Sequence, residues 1–69
     1  MTTLYIYETE SNTLVARING TDNAACEDVA NFHFGDTDSY GRTYSPAFGA
    51  SDGIIPGESV VDIDADDNR

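Results

Sequence analysis

The chain of 69 residues contains no lysine and no tryptophan, and it has one cysteine and one histidine. Its three arginines stand against thirteen acidic residues, which gives a formal net charge of -10. A chain of this charge repels nucleic acid and is attracted to basic surfaces, so we expect no direct binding to DNA or RNA. With Cys26 as the single cysteine, neither an intramolecular disulfide nor a cysteine-based zinc site can form within one chain.

Long apolar runs are also missing, which excludes a transmembrane helix, and we expect no contact with a membrane. The N-terminus has neither the basic residues nor the apolar stretch of a signal peptide, so the sequence predicts a cytoplasmic protein. Hydrophobic residues make up 39% of the chain and seven residues are aromatic, enough to predict a folded core. We expect a single domain over residues 1–69, of modest stability because so small a chain buries little surface.

Residues 3–19 carry two short alternating runs of apolar and polar residues around a polar break, a pattern typical of a β-hairpin. Leu4 and Ile6 share one face of the first run, and Tyr5 and Tyr7 the other. On the second run the predicted aliphatic face consists of Leu14, Ala16 and Ile18. A two-stranded hairpin is not stable alone in water, so this face requires a cover.

A helix over about residues 22–33 is the predicted cover. Thr21, Asp22 and Asn23 are all residues that cap a helix N-terminus. The apolar positions that follow at helical spacing are Ala25, Cys26, Val29, Ala30 and either Phe32 or His33. Gly35 is placed to end the helix.

Two weaker strands are predicted over about residues 41–45 and 58–64, followed by a frayed acidic tail over residues 65–69. Between the strands, residues 46–58 are rich in glycine and proline and form a long loop. Its apolar residues Phe48, Ile54 and Ile55 fit either a lid on the core, which we favour, or a binding loop. The order β-β-α-β-β predicts an α+β fold, a small antiparallel sheet with one helix packed on a face.

No catalytic pattern is present, and we expect no enzymatic activity and no cofactor. Cys26 and His33 are seven residues apart on the predicted helix, too far for a nucleophile–base pair. No glycine lies in a phosphate-binding loop pattern. Residues 62–68 begin like a calcium loop but lack its central glycine and distal glutamate, so we assign no metal ligand and keep a weak calcium-binding module only as an alternative.

The remaining signal is the arrangement of acidic residues. They occur at the hairpin turn, after the helix, and along the last strand and tail, at Glu8, Glu10, Asp36, Asp38, Asp62, Asp64, Asp66 and Asp67. If these side chains converge on one side, their spacing of about 6–7 Å along strands resembles the phosphate repeat of a nucleic acid, and they form a partner-binding surface for a basic protein. The alternative is that they are ordinary solubilising residues.

A small, lysine-free, acidic chain that opens a hairpin with Met1-Thr-Thr-Leu-Tyr-Ile-Tyr7 and a helix with Thr21-Asp-Asn-Ala-Ala-Cys-Glu27 resembles the phage-encoded anti-CRISPR proteins. It is similar in particular to the small acidic inhibitors of type I systems, subtype I-C. The resemblance lies in size, charge and layout, since this group shares no common motif. It implies a protein of the bacterial host cytoplasm that binds a subunit of a type I CRISPR surveillance complex and blocks target DNA binding.

The sequence thus predicts a stoichiometric inhibitor that binds a basic, nucleic-acid-binding protein surface, with acidic DNA mimicry as one mode of binding. No long helix imitates a duplex, which argues against close double-strand mimicry. We expect a monomer, although a free sheet edge leaves a dimer open. The alternative from another class is a small phage or mobile-element accessory domain that binds its partner through the apolar loop.

Overall fold

The computed structural model describes residues 1–45, 54, 55, 57 and 59–66. It contains four strands and one helix: β1 (Thr2–Glu8), β2 (Thr13–Gly20), α1 (Asn23–His33), β3 (Tyr40–Thr43) and β4 (Val61–Asp64). The strands form one sheet in the order β3-β1-β2-β4, and α1 packs against it. The predicted α+β fold and its β-β-α-β-β order are confirmed.

One strand pair departs from the antiparallel sheet expected from the sequence. β1 pairs antiparallel with both β2 and β3, but β4 runs parallel to β2, so the sheet is mixed. Since β3 and β4 point the same way at opposite edges, the chain between them has to return along the sheet. A parallel pairing needs a long connection, which accounts for the length of the segment that the sequence marked as a loop.

A β-bulge in the hairpin changes which side chains face the helix. Ile6 pairs with Ala16 but Tyr7 pairs with Leu14, so Val15 is the extra residue. Leu14 therefore shares the face of Tyr7, and Val15 packs against the helix-side core instead. The prediction that Leu14 lies on the same face as Ile6 was wrong, because one inserted residue reverses the alternation beyond it.

The helix begins where the capping residues predicted it. The Asp22 carboxylate accepts a hydrogen bond of 2.9 Å from the backbone N–H of Ala25, which satisfies one of the free donors of the first turn. The buried face of α1 consists of small or compact side chains, namely Ala25, Cys26, Val29 and Ala30. Residues of this size let the helix lie close to the aliphatic face of the two central strands, which contributes Leu4, Ile6, Ala16 and Ile18 to the core.

The start of the predicted frayed tail belongs to the core. Ala65 is fully buried, and its N–H donates a 2.7 Å hydrogen bond to the carbonyl of Asn19. The Asp66 carboxylate accepts a 2.6 Å hydrogen bond from the Thr21 hydroxyl. Residues 65 and 66 are thus fixed by continuation of the β4 pairing, whereas residues 67–69 lie outside the described residues.

Part of the predicted apolar loop also contacts the sheet. Ile54 is buried, but it does not belong to the core cluster between the sheet and the helix, and the side chain of Ile55 is 58% exposed. The backbone of Ile55 forms a parallel bridge with Thr13, through hydrogen bonds to the Asn12 carbonyl and the Leu14 N–H. Phe48 lies outside the described residues. None of the described helices is long and apolar enough to cross a membrane.

Gly41 provides a test of the packing on the sheet face opposite the helix. Tyr7 and Gly41 are cross-strand neighbours, and a Cβ added at Gly41 would overlap the Tyr7 ring. We expect Gly41→Ala to lower the free energy of unfolding by about 1–3 kcal/mol, the usual cost of overpacking. Urea denaturation followed by circular dichroism measures this as a lower midpoint at constant slope.

The control is the same change in a Tyr7→Ala background, where the ring is absent. There, Gly41→Ala should cost little, because the added methyl group has space. An equal loss of stability in both backgrounds would contradict the role assigned to the Tyr7 ring.

Candidate functional site

Three of the predicted partner-binding carboxylates converge where the hairpin turn meets the start of β3. Glu8, Glu10 and Asp38 line an open cleft of about 250 Å³, together with Thr9, Ser39 and Tyr40. Glu8 and Tyr40 are cross-strand neighbours, so this cleft is built on the β1–β3 pairing. We call it the hairpin-end cleft. It places several negative charges around a space open to solvent.

The walls of the hairpin-end cleft are held by hydrogen bonds. Thr9 donates from its N–H to the Ser39 carbonyl (3.0 Å), which joins the hairpin turn to the segment before β3. Asp36 organises that segment, since its carboxylate accepts from the Asp38 N–H (3.1 Å) and the Ser39 hydroxyl (2.9 Å). Asp36 is therefore a structural residue of the turn, which aspartate favours by this kind of local hydrogen bond.

The carboxylates of the last strand form a second group that the same chain uses internally. Arg17 binds Asp62 through two parallel contacts, Nε to Oδ1 at 2.8 Å and Nη2 to Oδ2 at 2.9 Å. Asp64 accepts a 3.0 Å hydrogen bond from the Asp66 N–H. By contrast, within the described part of the chain the carboxylates of Glu10 and Asp38 accept no hydrogen bond and form no ion pair.

The two groups lie at opposite corners of the sheet. Asp64 is in register with Asn19, which is in register with Thr3, five residues from Glu8. Standard strand dimensions put the groups about 17 Å apart along the strands and about 10 Å apart across them. The seven described residues of the predicted set therefore do not form one continuous acidic surface. Strand order separates them, and Asp67 lies outside the described residues.

No metal site is found in the described part of the chain, and the thiol of Cys26 is not placed to react. No three acidic, cysteine or histidine residues there lie close enough to hold a metal ion. Cys26 is buried, and its burial raises the pKa of the thiol, which favours the unreactive protonated form. His33 lies on the exposed end of the helix. Cys26 is therefore a core residue of α1, and His33 is a surface residue at the helix end.

A polar network fixes β3 to the helix. Arg42 donates to Glu27 at 2.6 Å and to the Asn31 side chain at 3.1 Å, and Tyr44 donates to the second Glu27 oxygen at 3.0 Å. Arg42 is only partly exposed, so this pair is better shielded than Arg17–Asp62. The network holds the edge strand that carries Tyr40 against the end of α1.

Four aromatic rings run from the end of α1 to the hairpin-end cleft, and the sequence pattern did not reveal them. Phe32 and His33 meet edge to face with ring centroids 4.8 Å apart, His33 and Phe34 are 6.2 Å apart, and Phe34 meets Tyr40 at 5.3 Å. We call these rings the aromatic ridge. Helical spacing predicted Phe32 or His33 in the core, yet Phe32 is 83% exposed and Phe34 packs on the core instead. The run Phe32-His-Phe34 at the helix end was the available signal.

Of the other tyrosines, Tyr5 and Tyr7 are half-buried on the sheet face opposite the helix, and the Tyr44 hydroxyl donates to Glu27. Only Tyr40 borders the hairpin-end cleft.

Comparisons of the chain with protein-family models, with curated proteins and with solved structures returned no match.

The Glu27 network predicts an unusual tyrosine titration. Burial and the hydrogen bond to Glu27 raise the pKa of Tyr44 to about 12, from an ordinary value of 10.0. Because the pKa of Tyr44 is higher in the folded protein than in the unfolded chain, protonated Tyr44 contributes to stability. This contribution is complete below pH 10 and is lost as the pH rises through about 12. We expect Glu27→Gln to lower the pKa of Tyr44, because the neighbouring negative charge is removed.

The ultraviolet absorbance of tyrosinate, measured against pH, follows this change. Tyr44→Phe identifies the step, because the highest transition disappears in that variant. A Glu27→Gln protein whose last transition stays at the wild-type pH would contradict the assigned cause.

Proposed function

We propose that the protein is a stoichiometric inhibitor that binds a basic, nucleic-acid-binding surface of another protein and competes with nucleic acid for it. The excess of negative charge supports this proposal, since thirteen acidic residues face three arginines. Arg17 and Arg42 are each bound to a carboxylate of the same chain, so neither reduces the charge around the hairpin-end cleft. A field of this sign steers basic partners and speeds their association.

The observation that carries the proposal is the state of the hairpin-end carboxylates. Glu10 and Asp38 border an open cleft, and their carboxylates make no hydrogen bond or ion pair within the described residues. A carboxylate that already has an internal partner gains less from an external one. The hairpin-end cleft therefore supports the proposal better than the β4 group, where Asp62 already has Arg17.

The partner class follows from the resemblance to the small acidic inhibitors of type I CRISPR systems. In this proposal the target is a type I surveillance complex, probed first in subtype I-C, and the blocked step is target DNA binding. Two acidic groups at opposite corners of a 69-residue domain support local competition for basic side chains more than imitation of a continuous duplex.

A DNA-binding assay with a purified type I-C surveillance complex tests this function. We expect the protein to reduce target DNA binding at stoichiometric amounts, and to lose this effect as salt shortens the screening length from about 8 Å at 0.15 M to about 3 Å at 1 M. Inhibition should not grow with incubation time, because competition involves no turnover. Unchanged DNA binding at low salt would contradict the proposal.

Two double variants with equal loss of charge locate the contribution of each acidic group. Glu10→Gln with Asp38→Asn should weaken inhibition about fivefold, the effect of losing two exposed charge pairs. Asp64→Asn with Asp66→Asn serves as the matched control and should weaken it less than about twofold. Circular dichroism checks that both variants fold. A larger loss in the control would move the contact surface to β4.

A further inference from the structure

The aromatic ridge has a solvent-facing end that the core does not require. Phe32 is 83% exposed at the end of α1, while the other members lead inward through Phe34 to Tyr40. A single exposed aromatic residue is common on protein surfaces. A continuous row of ring contacts that ends at a cleft is less so, and exposed aromatic side chains are the residues that most often become interface hot spots.

The ridge and the hairpin-end cleft share Tyr40, so an aromatic surface and free carboxylates lie side by side. The rings flank the C-terminal end of α1, where the backbone N–H of Phe34 bonds to the Ala30 carbonyl and the helix dipole presents partial negative charge. Three features therefore favour the same sign of ligand: carboxylates, ring faces and a helix C-terminus. All attract a cation.

The size of the cleft limits the occupant. Its volume of about 250 Å³ lies below the roughly 300–1,000 Å³ typical of small-molecule sites, and it is open to solvent. A side chain presented by another protein fits such a space better than a free ligand of drug size. The chain carries no lysine and its two described arginines are engaged, so among the described residues no lysine or arginine side chain is left for the cleft, and the cation in this inference belongs to a partner.

We propose that the aromatic ridge and the hairpin-end cleft together bind arginine side chains of the basic partner. The planar guanidinium stacks on an aromatic ring and forms paired hydrogen bonds with carboxylates, whereas the lysine ammonium is a compact, strongly hydrated charge. Phe32 and Tyr40 supply ring faces at the two ends of the ridge, and Glu8, Glu10 and Asp38 supply acceptors beside Tyr40, so the surface engages more than one arginine. This inference rests on the proposed function and assigns its contact surface.

Fluorescence anisotropy with two labelled peptides tests the assignment. One probe is an arginine-glycine-serine repeat, and the other has every arginine replaced by lysine. We expect the arginine peptide to bind more tightly at equal charge. Phe32→Ala should weaken its binding about two- to fivefold, the contribution of an exposed cation–π contact, and reduce the preference for arginine. Phe32→Leu keeps an apolar side chain and should show the same loss.

Val61→Ala is the matched control, because Val61 is also exposed but lies on β4 at the far edge of the sheet. It should leave binding unchanged. In a two-dimensional NMR spectrum of the labelled protein, the arginine peptide should shift the amide signals of residues 8–10, 32–34 and 38–40, and leave those of β4 in place.

Equal affinity for the two peptides, or binding unaffected by Phe32→Ala, would overturn the arginine site. That outcome would not affect the proposed function if the protein still displaced target DNA from the surveillance complex. Conversely, normal arginine binding without displacement of DNA would support the site and contradict the function. The two proposals therefore fail separately.

Discussion

The structure depends on the close packing of one short helix on two central strands. The buried face of α1 carries alanine, cysteine and valine. The sheet that faces it also has small residues at the end of β2, where a Cβ added to Gly20 would lie 3.1 Å from both the Ala65 Cβ and the Cys26 Sγ. A chain of 69 residues has few large side chains for a core, so its stability comes from dispersion contacts at short distance. This closeness fixes the height of the helix above the sheet.

The position of the helix in turn places the candidate site. Because α1 crosses β1 and β2, its C-terminal end comes to the edge where β3 pairs with β1. The Glu27 network then ties β3 to the helix through Arg42 and Tyr44. The rings of Phe34 and Tyr40 meet as a result, and the hairpin-end cleft opens beside them. A site made of exposed side chains thus rests on contacts that are themselves partly buried.

The excess of acidic residues makes the folded chain repel itself. The fold reduces this repulsion by placing the acidic residues of the hairpin end and those of β4 at opposite corners of the sheet and by pairing Arg17 with Asp62 at one of them. An exposed pair of this kind contributes at most about 1 kcal/mol, so it lowers local repulsion more than it stabilises the fold. At the hairpin-end cleft no arginine plays this part among the described residues. The unbalanced charge there is what makes this corner the better candidate for a basic partner.

The sequence by itself determined the hairpin, the Asp22 cap, the helix and the order of elements, because alternation and capping are local properties. Tertiary structure alone decided the rest. The bulge at Val15 moved Leu14 to the other face, and the parallel pairing of β4 buried Ala65, since register and strand order are set by contacts distant in sequence. The same long-range pairing separated the acidic residues of the hairpin end from those of β4. It brought Tyr40 beside the helix end as well, a proximity that no spacing along the chain could indicate.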